Sequence, residues 1–294
     1  MITRRRLSAL ALASLAAYTA FSRGASARAS FGGLADAFER IEQRSGGRLG
    51  VGVIDTASGA FIGHRSDELF PMCSTFKLLC AAAVLRRVDA GTEQLARRIA
   101  VTQADVLDYA PITKPHAGGE MAIFELCDAM VTMSDNTAAN LLLNTMGGPT
   151  SVTNLARSIG DTVTRLDRTE PELNTAIPGD VRDTTSPRAM ARSVETLTLG
   201  SALSPKSRAQ LNTWLIGCKT GDARLRGGLP KGWLVGDKTG SGDNGTSNDA
   251  AVIWPTGHAP LIITAYLTLS GADAGQRAAT FAASSKAVAD TIEG

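Results

Sequence analysis

The sequence predicts a two-domain α/β protein: an antiparallel sheet flanked by the terminal helices, a mostly helical second domain, and an active-site cleft between them. Three observations predict it. Strand-like segments fall near both ends of the chain, helical patterns divided by Gly and Pro fill the middle, and an amphipathic helix stands at either side of the strands. On this reading residues 30–65 and 217–294 build the α/β domain and residues 66–216 the helical one.

Taken in order, Phe31 to Arg44 spaces Phe31, Leu34, Phe38 and Ile41 by three or four and stops at Gly46-Gly47. Leu49 to Asp55 and Ala60 to His64 flank Thr56-Ala57-Ser58-Gly59 as a hairpin. Helices are expected over Ser74–Arg87, Ala122–Met133, Thr137–Met146 and Thr150–Ser158. Residues 165–183 hold two prolines and a glycine without a period, a long irregular loop of the kind that is uncommon unless functional. Helices resume at Pro187–Leu199 and Pro205–Ile216, each with Ser before Pro as cap and first helical residue. Strands then follow at Trp233–Asp237, Asp249–Trp254 and Leu261–Thr268, and Ala274 to Ile292 closes the chain as a helix.

Residues 1–29 read as an export signal: Arg4, Arg5 and Arg6, an apolar stretch from Ala9 to Phe21, then Ala-x-Ala sites that place the cut near Ala27 or Ala29. The stretch is shorter than the ~18 apolar residues of a membrane span, so no stable anchor is expected. Thr3-Arg4-Arg5-Arg6-Leu7 fits the twin-arginine route slightly better than the general one, and the protein is expected in the periplasm. Removing residues 1–27 takes four of the 30 basic residues and none of the 28 acidic ones, so the balance passes from +2 to −2. A near-neutral chain with 5% aromatics is ill suited to displacing counterions from nucleic acid or stacking bases. The four cysteines, Cys73, Cys80, Cys127 and Cys218, are too few for a disulfide scaffold, although one bridge is possible. With His64, His116 and His258 scattered singly, neither a metal nor a cofactor is expected.

Three short motifs carry chemistry. Ser74-Thr75-Phe76-Lys77 opens a helix, where a three-residue spacing places hydroxyl and ammonium on one face and free backbone N–H groups lie nearby. Ser134-Asp135-Asn136 stands between two helices, and Lys238-Thr239-Gly240 directly follows a strand. Alone, the first reads as a capped helix, the second as an N-cap and the third as a polar strand end. In this order and spacing they resemble the serine β-lactamases and penicillin-binding proteins. Glu170-Pro171-Glu172-Leu173-Asn174, in the irregular loop, matches the motif that marks class A β-lactamases, and the likeness covers residues 31–290.

That resemblance implies roles for individual residues. Ser74 is the nucleophile, the backbone N–H groups of Ser74 and Ser241 form the oxyanion hole, and Ser134 passes a proton to the leaving nitrogen with help from Lys77 and Lys238. Glu170 and Asn174 hold the hydrolytic water, and either Lys77 or Glu170 accepts the proton of Ser74. Lys238, Thr239 and Ser241 take the substrate carboxylate, Asn136 takes the acylamide, and Tyr109 walls the cleft mouth. Ser247 stands where the family often has an Arg, and Arg224 matches the alternative source of that guanidinium. Arg168 and Asp183 match a salt bridge across the loop. The family's common disulfide would join Cys127 to the residue seven after the nucleophile, which is Ala81. Cys80 lies one position, ~100° of helix rotation, away. Cys73 would need a partner at Gly242. The expected protein is a monomeric β-lactam hydrolase conferring antibiotic resistance. The alternatives are a penicillin-binding D,D-peptidase or a β-lactam sensor, both of which would remain acylated.

Overall fold

The computed structural model describes residues 31–293, so the export signal read in residues 1–29 lies outside the described residues. Helix α1 (Leu34–Ser45) buries Leu34, Phe38 and Ile41 and ends at Gly46, whose φ of 65° costs a glycine little. Strands β1 (Arg48–Asp55) and β2 (Ala60–His64) form the expected hairpin, with Asp55 opposite Ala60. After β3 (Phe70–Pro71), a 3₁₀ turn over Cys73–Thr75 leads into α2 (Phe76–Asp89). The helix expected from Ser74 therefore begins two residues later. Strands β4 (Arg98–Val101) and β5 (Gly119–Ala122) pair with each other inside the stretch expected to be mostly helical.

Helices α3 (Ile123–Thr132), α4 (Asn136–Thr145) and α5 (Thr150–Ser158) come next, within a residue or two of the expected bounds. Strand β6 (Thr184–Thr185) pairs with β3 at the end of the irregular loop, which itself contains a 3₁₀ turn at Glu172–Asn174. Helices α6 (Pro187–Thr198) and α7 (Pro205–Ile216) start as read: the hydroxyls of Ser186 and Ser204 accept from the N–H groups of Ala189 and Ser207, each at 3.2 Å. Strands β7 (Leu234–Gly242), β8 (Thr246–Trp254) and β9 (Leu261–Thr268) precede α8 (Ala274–Glu293).

The main sheet runs β2-β1-β9-β8-β7, antiparallel throughout, so the first and last segments of the described chain share one sheet. Side chains alternate along each strand. Leu49, Val51, Val53, Ile263 and Leu267 face α1 and α8, meeting Phe38 and Phe281. Ile54, Val252, Ile262 and Tyr266 face the helical layer built on α2. Both faces are buried, which explains strands that read as almost continuous apolar runs. The glycines in Leu49-Gly50-Val51-Gly52-Val53 follow from the same geometry: a Cβ at Gly50 would sit 2.5 Å from the Phe70 ring and one at Gly52 2.9 Å from the Pro187 carbonyl oxygen.

β7 differs from expectation in a way that matters. It runs on through Gly242, so Lys238-Thr239-Gly240 lies within the strand and not after it. The extension is invisible to hydrophobic patterning because its residues are small and polar, yet it pairs in register, Thr239 with Asp249 and Ser241 with Ser247. No helix among the described residues is long and apolar enough to cross a membrane.

Phe38 is fully buried between α1 and the sheet. Phe38→Ala is expected to cost about 3–5 kcal/mol, read as a lower urea midpoint with an unchanged slope.

Candidate active site

The 3₁₀ turn before α2 places Ser74 at the base of a cleft of about 350 Å³, which Ser134, Asn136, Asn174, Thr239 and Ser241 also line. The turn is held from the sheet side, where the Asn248 amide on β8 donates to the carbonyls of Pro71 (2.8 Å) and Met72 (2.9 Å). Gly240 lets β7 approach: a Cβ there would lie 2.8 Å from Met72 O and 3.2 Å from Ser74 N. Cys73, just before Ser74, has a φ of 44°, and Ser134 has a φ of 59°. Each is a conformation costing a non-glycine residue of order 1–3 kcal/mol, held here by its surroundings.

Ser74, Lys77, Ser134, Glu170 and Lys238 converge. Ser74 Oγ donates to Glu170 Oε1 at 3.2 Å, and Lys77 Nζ lies 2.9 Å from the same oxygen. Lys77 also donates to Ser134 O (2.7 Å) and Asn136 Oδ1 (2.6 Å), so its three N–H donors all have acceptors. Ser134 Oγ stands between two ammonium groups, 3.0 Å from Lys238 Nζ and 3.4 Å from Lys77 Nζ. Both lysines are fully buried, and burial lowers the pKa of each, that of Lys238 to about 8. For Lys77 the neighbouring Glu170 works in the opposite direction.

Glu170 is fixed on every side. Asn174 Nδ2 donates to Oε2 at 2.5 Å, and Asn140 on α4 clamps the backbone, its amide donating to Glu170 O (2.8 Å) while its oxygen accepts from Glu170 N (2.9 Å). The bond between Glu170 and Pro171 is cis. Asp183 closes the loop by accepting from the N–H groups of Asp167 (2.7 Å) and Arg168 (2.9 Å) and from Arg168 Nε (2.5 Å). The expected ion pair between Arg168 and Asp183 is therefore present, and it also carries two backbone bonds.

The β7 side of the cleft is cationic. Arg224 donates to the carbonyls of Gly240 (2.7 Å) and Asn248 (2.6 Å) and to Ser241 Oγ (2.8 Å), which fixes its guanidinium beside β7. Thr239 Oγ1 is 2.5 Å from Thr220 Oγ1. Tyr109 lines the mouth and is 50% exposed. Ser247 does not face empty space, because Arg277 Nε on α8 donates to its hydroxyl at 3.1 Å. The four cysteines are free and buried. Cys73 Sγ lies 2.7 Å from where a Cβ of Gly242 would be, so the position is that of a bridge partner and the glycine leaves it without a thiol.

The family model described as the β-lactamase enzyme family matches residues 33–292. The chain belongs to the class A β-lactamases. Among curated relatives it is 53% identical over 250 residues to β-lactamase Toho-1 of Escherichia coli, spanning 85% of this chain and 86% of that one. It is 52% identical over 252 residues to β-lactamase OXY-2 of Klebsiella oxytoca, spanning 86% and 87%. Among solved structures, an ancestral (GNCA) class A β-lactamase superposes with a TM-score of 0.87 at 59% identity, covering 87% of this chain and 99% of that one. The putative class A β-lactamase PenP from Rhodopseudomonas palustris superposes at 0.86 and 58%, covering 87% and 98%. The two-domain α/β class read from the sequence is that of this family.

Sequence reading missed Asn140, Asn248, Thr220 and Arg277. Each acts by gripping a backbone or a hydroxyl from a different element, and no local motif announces such a contact. For Asn140 a weak signal exists: it sits four residues after Asn136, on the same face of α4.

Replacing Asp183 by Asn removes the charge on which two N–H groups and a guanidinium converge. The expected loss is about 2–4 kcal/mol of loop stability, seen as faster amide exchange confined to residues 165–183.

Proposed function

We propose that the chain hydrolyses the β-lactam amide of penicillins and cephalosporins through an acyl-enzyme on Ser74, and so confers antibiotic resistance. The observation that carries this reading is the convergence of Ser74 Oγ and Lys77 Nζ on one oxygen of Glu170, with Asn174 on the other. Ser74 Oγ attacks the lactam carbonyl carbon as its proton passes to Glu170, directly or through one water. Glu170 is favoured over Lys77 as acceptor, because Ser74 Oγ donates to Glu170 Oε1 while Lys77 Nζ is turned to that same oxygen, Ser134 O and Asn136 Oδ1. Backbone N–H groups of Ser74 and Ser241 would stabilise the tetrahedral oxyanion by about 3 kcal/mol each.

As the C–N bond breaks, the ring nitrogen takes the proton of Ser134. That hydroxyl accepts from Lys238, with Lys77 Nζ 3.4 Å away, which leaves its own hydrogen free to point at the substrate. The proton held by Glu170 returns through Lys77 to Ser134. Glu170 then deprotonates a water that attacks the ester, and Ser74 leaves with its proton restored. Lys238, Thr239, Ser241 and Arg224 would hold the substrate carboxylate, Asn136 the acylamide and Tyr109 the cleft mouth.

We further propose that the chain is exported to the periplasm, with residues 1–29 removed and the twin-arginine route preferred, and that it works there as a monomer. We infer a division into an α/β domain of residues 30–65 and 217–294 and a helical domain of residues 66–216; the cluster between the sheet and the terminal helices draws on the first set alone, whereas the cluster on the sheet's other face joins the two.

Rapid mixing with a chromogenic cephalosporin tests the mechanism. The wild-type chain is expected to turn over repeatedly. Glu170→Ala should give one equivalent of product, accumulate an adduct on Ser74 by mass spectrometry, and lose roughly 10²–10⁴-fold in turnover. A single stoichiometric burst from the wild type would favour the peptidase or sensor instead.

Lys238 also sets a pH limb. Its pKa of about 8 means the ammonium that receives the substrate carboxylate is lost as pH rises through 8, so KM should climb on that side. Lys238→Arg should remove the limb, since a guanidinium remains charged. Stability moves the other way: between about 8 and the ordinary lysine value of 10.5 the unfolded chain binds the extra proton, and folding gains with rising pH.

A further inference from the structure

A second cavity, of about 500 Å³, lies between α2 and α5, lined by Ala83, Arg86, Arg87, Met146, Ser151 and Leu155 among others. On α2 the lining residues 83, 86 and 87 form one stripe. Arg86 lies twelve residues beyond Ser74, ~18 Å along a helical path, so the cavity is at the far end of the element that carries the catalytic pair. Small side chains at Ala83 and Ser151 and the absence of one at Gly147 leave the space open.

The lining residues include two guanidinium groups and no carboxylate. Among the described residues neither Arg86 nor Arg87 has an acidic partner within 4.0 Å. The carboxylates nearest in sequence act on Arg86 and Arg87 only at a distance and hydrogen-bond elsewhere. Asp89 accepts from Ser204 N (2.8 Å), Ser204 Oγ (2.6 Å) and Ser207 Oγ (2.6 Å), and Glu93 from Arg97 Nε (2.8 Å) and Nη2 (2.6 Å). Arg86 Nη1 donates to Ser158 Oγ at 3.1 Å, which holds that guanidinium against α5. Arg87 is half-buried, its Nε enclosed without a hydrogen-bond partner, so only the outer end of its guanidinium reaches the cavity. The positive end of the α5 dipole, at Thr150, opens on the same space, and Pro149 gives it no side-chain cap. Beneath the charges, Ala83 and Leu155 are almost fully buried and Met146 packs against the core, so the floor is apolar.

We propose that this cavity binds an organic anion, with its carboxylate or sulfonate between Arg86 and Arg87 and a compact apolar body resting on Ala83, Met146 and Leu155. Charge alone is not sufficient for such a site; two guanidinium groups without an acidic partner beside an apolar floor select an amphipathic anion over inorganic phosphate.

The test is a fluorescence titration of the whole protein with 8-anilinonaphthalene-1-sulfonate. One saturable site is expected, which inorganic phosphate displaces poorly. Arg86→Gln combined with Arg87→Gln should raise its Kd at least tenfold, and the uncharged N-phenyl-1-naphthylamine should not distinguish the variant from the parent. Asn154 is an exposed residue of the same lining, and Asn154→Trp, which keeps both charges and narrows the opening, should also weaken binding. Hydrolysis of the chromogenic cephalosporin should stay within twofold in both variants, which reports a folded protein. Absence of saturable binding, an unchanged Kd in both variants, or displacement of the probe by a β-lactam would overturn the assignment.

Discussion

The ion pair between Lys77 and Glu170, 2.9 Å apart with both side chains shut off from solvent, is the constraint around which the site is built. Burying either charge alone would cost several kcal/mol, so each partner requires the other to be in place. One belongs to the first turn of α2 in the helical layer, and the other to an irregular loop that makes little regular structure of its own. The pair therefore ties the position of that loop to the position of the nucleophile. Everything that steadies the loop, from the Asn140 clamp on the Glu170 backbone to the convergence on Asp183, keeps a carboxylate from turning away from a cation it cannot leave unpaired.

A second theme is the exchange of local ease for global placement. Cys73 and Ser134 adopt positive φ values that a free peptide would avoid, and both flank the reacting groups. The backbone is held there by contacts from distant segments: Asn248 grips the turn before Ser74, while the Ser134 carbonyl accepts from Lys77. The fold supplies these grips because the first and last segments of the described chain meet in one sheet, so β7 and β8 present their polar ends to a turn that lies some 170 residues earlier in the sequence.

The electrostatics follow from the same enclosure. Two buried lysines and Arg224 gather around the cleft, with Glu170 and Asp135 acting on Lys77 and Asp237 and Asp249 on the β7 side, and burial makes each ammonium easier to deprotonate. The cationic groups lie on two sides of the cleft, Lys77 against Glu170 and Arg224 against β7. Membership of the class A β-lactamases agrees with this arrangement.

The sequence by itself determined the elements with strong periodicity or strong caps: α1, the hairpin of β1 and β2, the Ser-Pro starts of α6 and α7, and the motif residues Ser74, Lys77, Ser134, Glu170 and Lys238. The helices and the hairpin are legible because hydrophobic spacing and capping chemistry act over a few residues, whereas the motif residues stand out only through their joint resemblance to a known family. Only the tertiary structure decided that β7 continues through Lys238-Thr239-Gly240, that β4 pairs with β5 amid helices, and that Asn140, Asn248 and Arg277 serve the site. Polar strands gain their stability from a partner's backbone, and a gripping side chain is defined by what it reaches across space. Neither leaves a pattern along the chain.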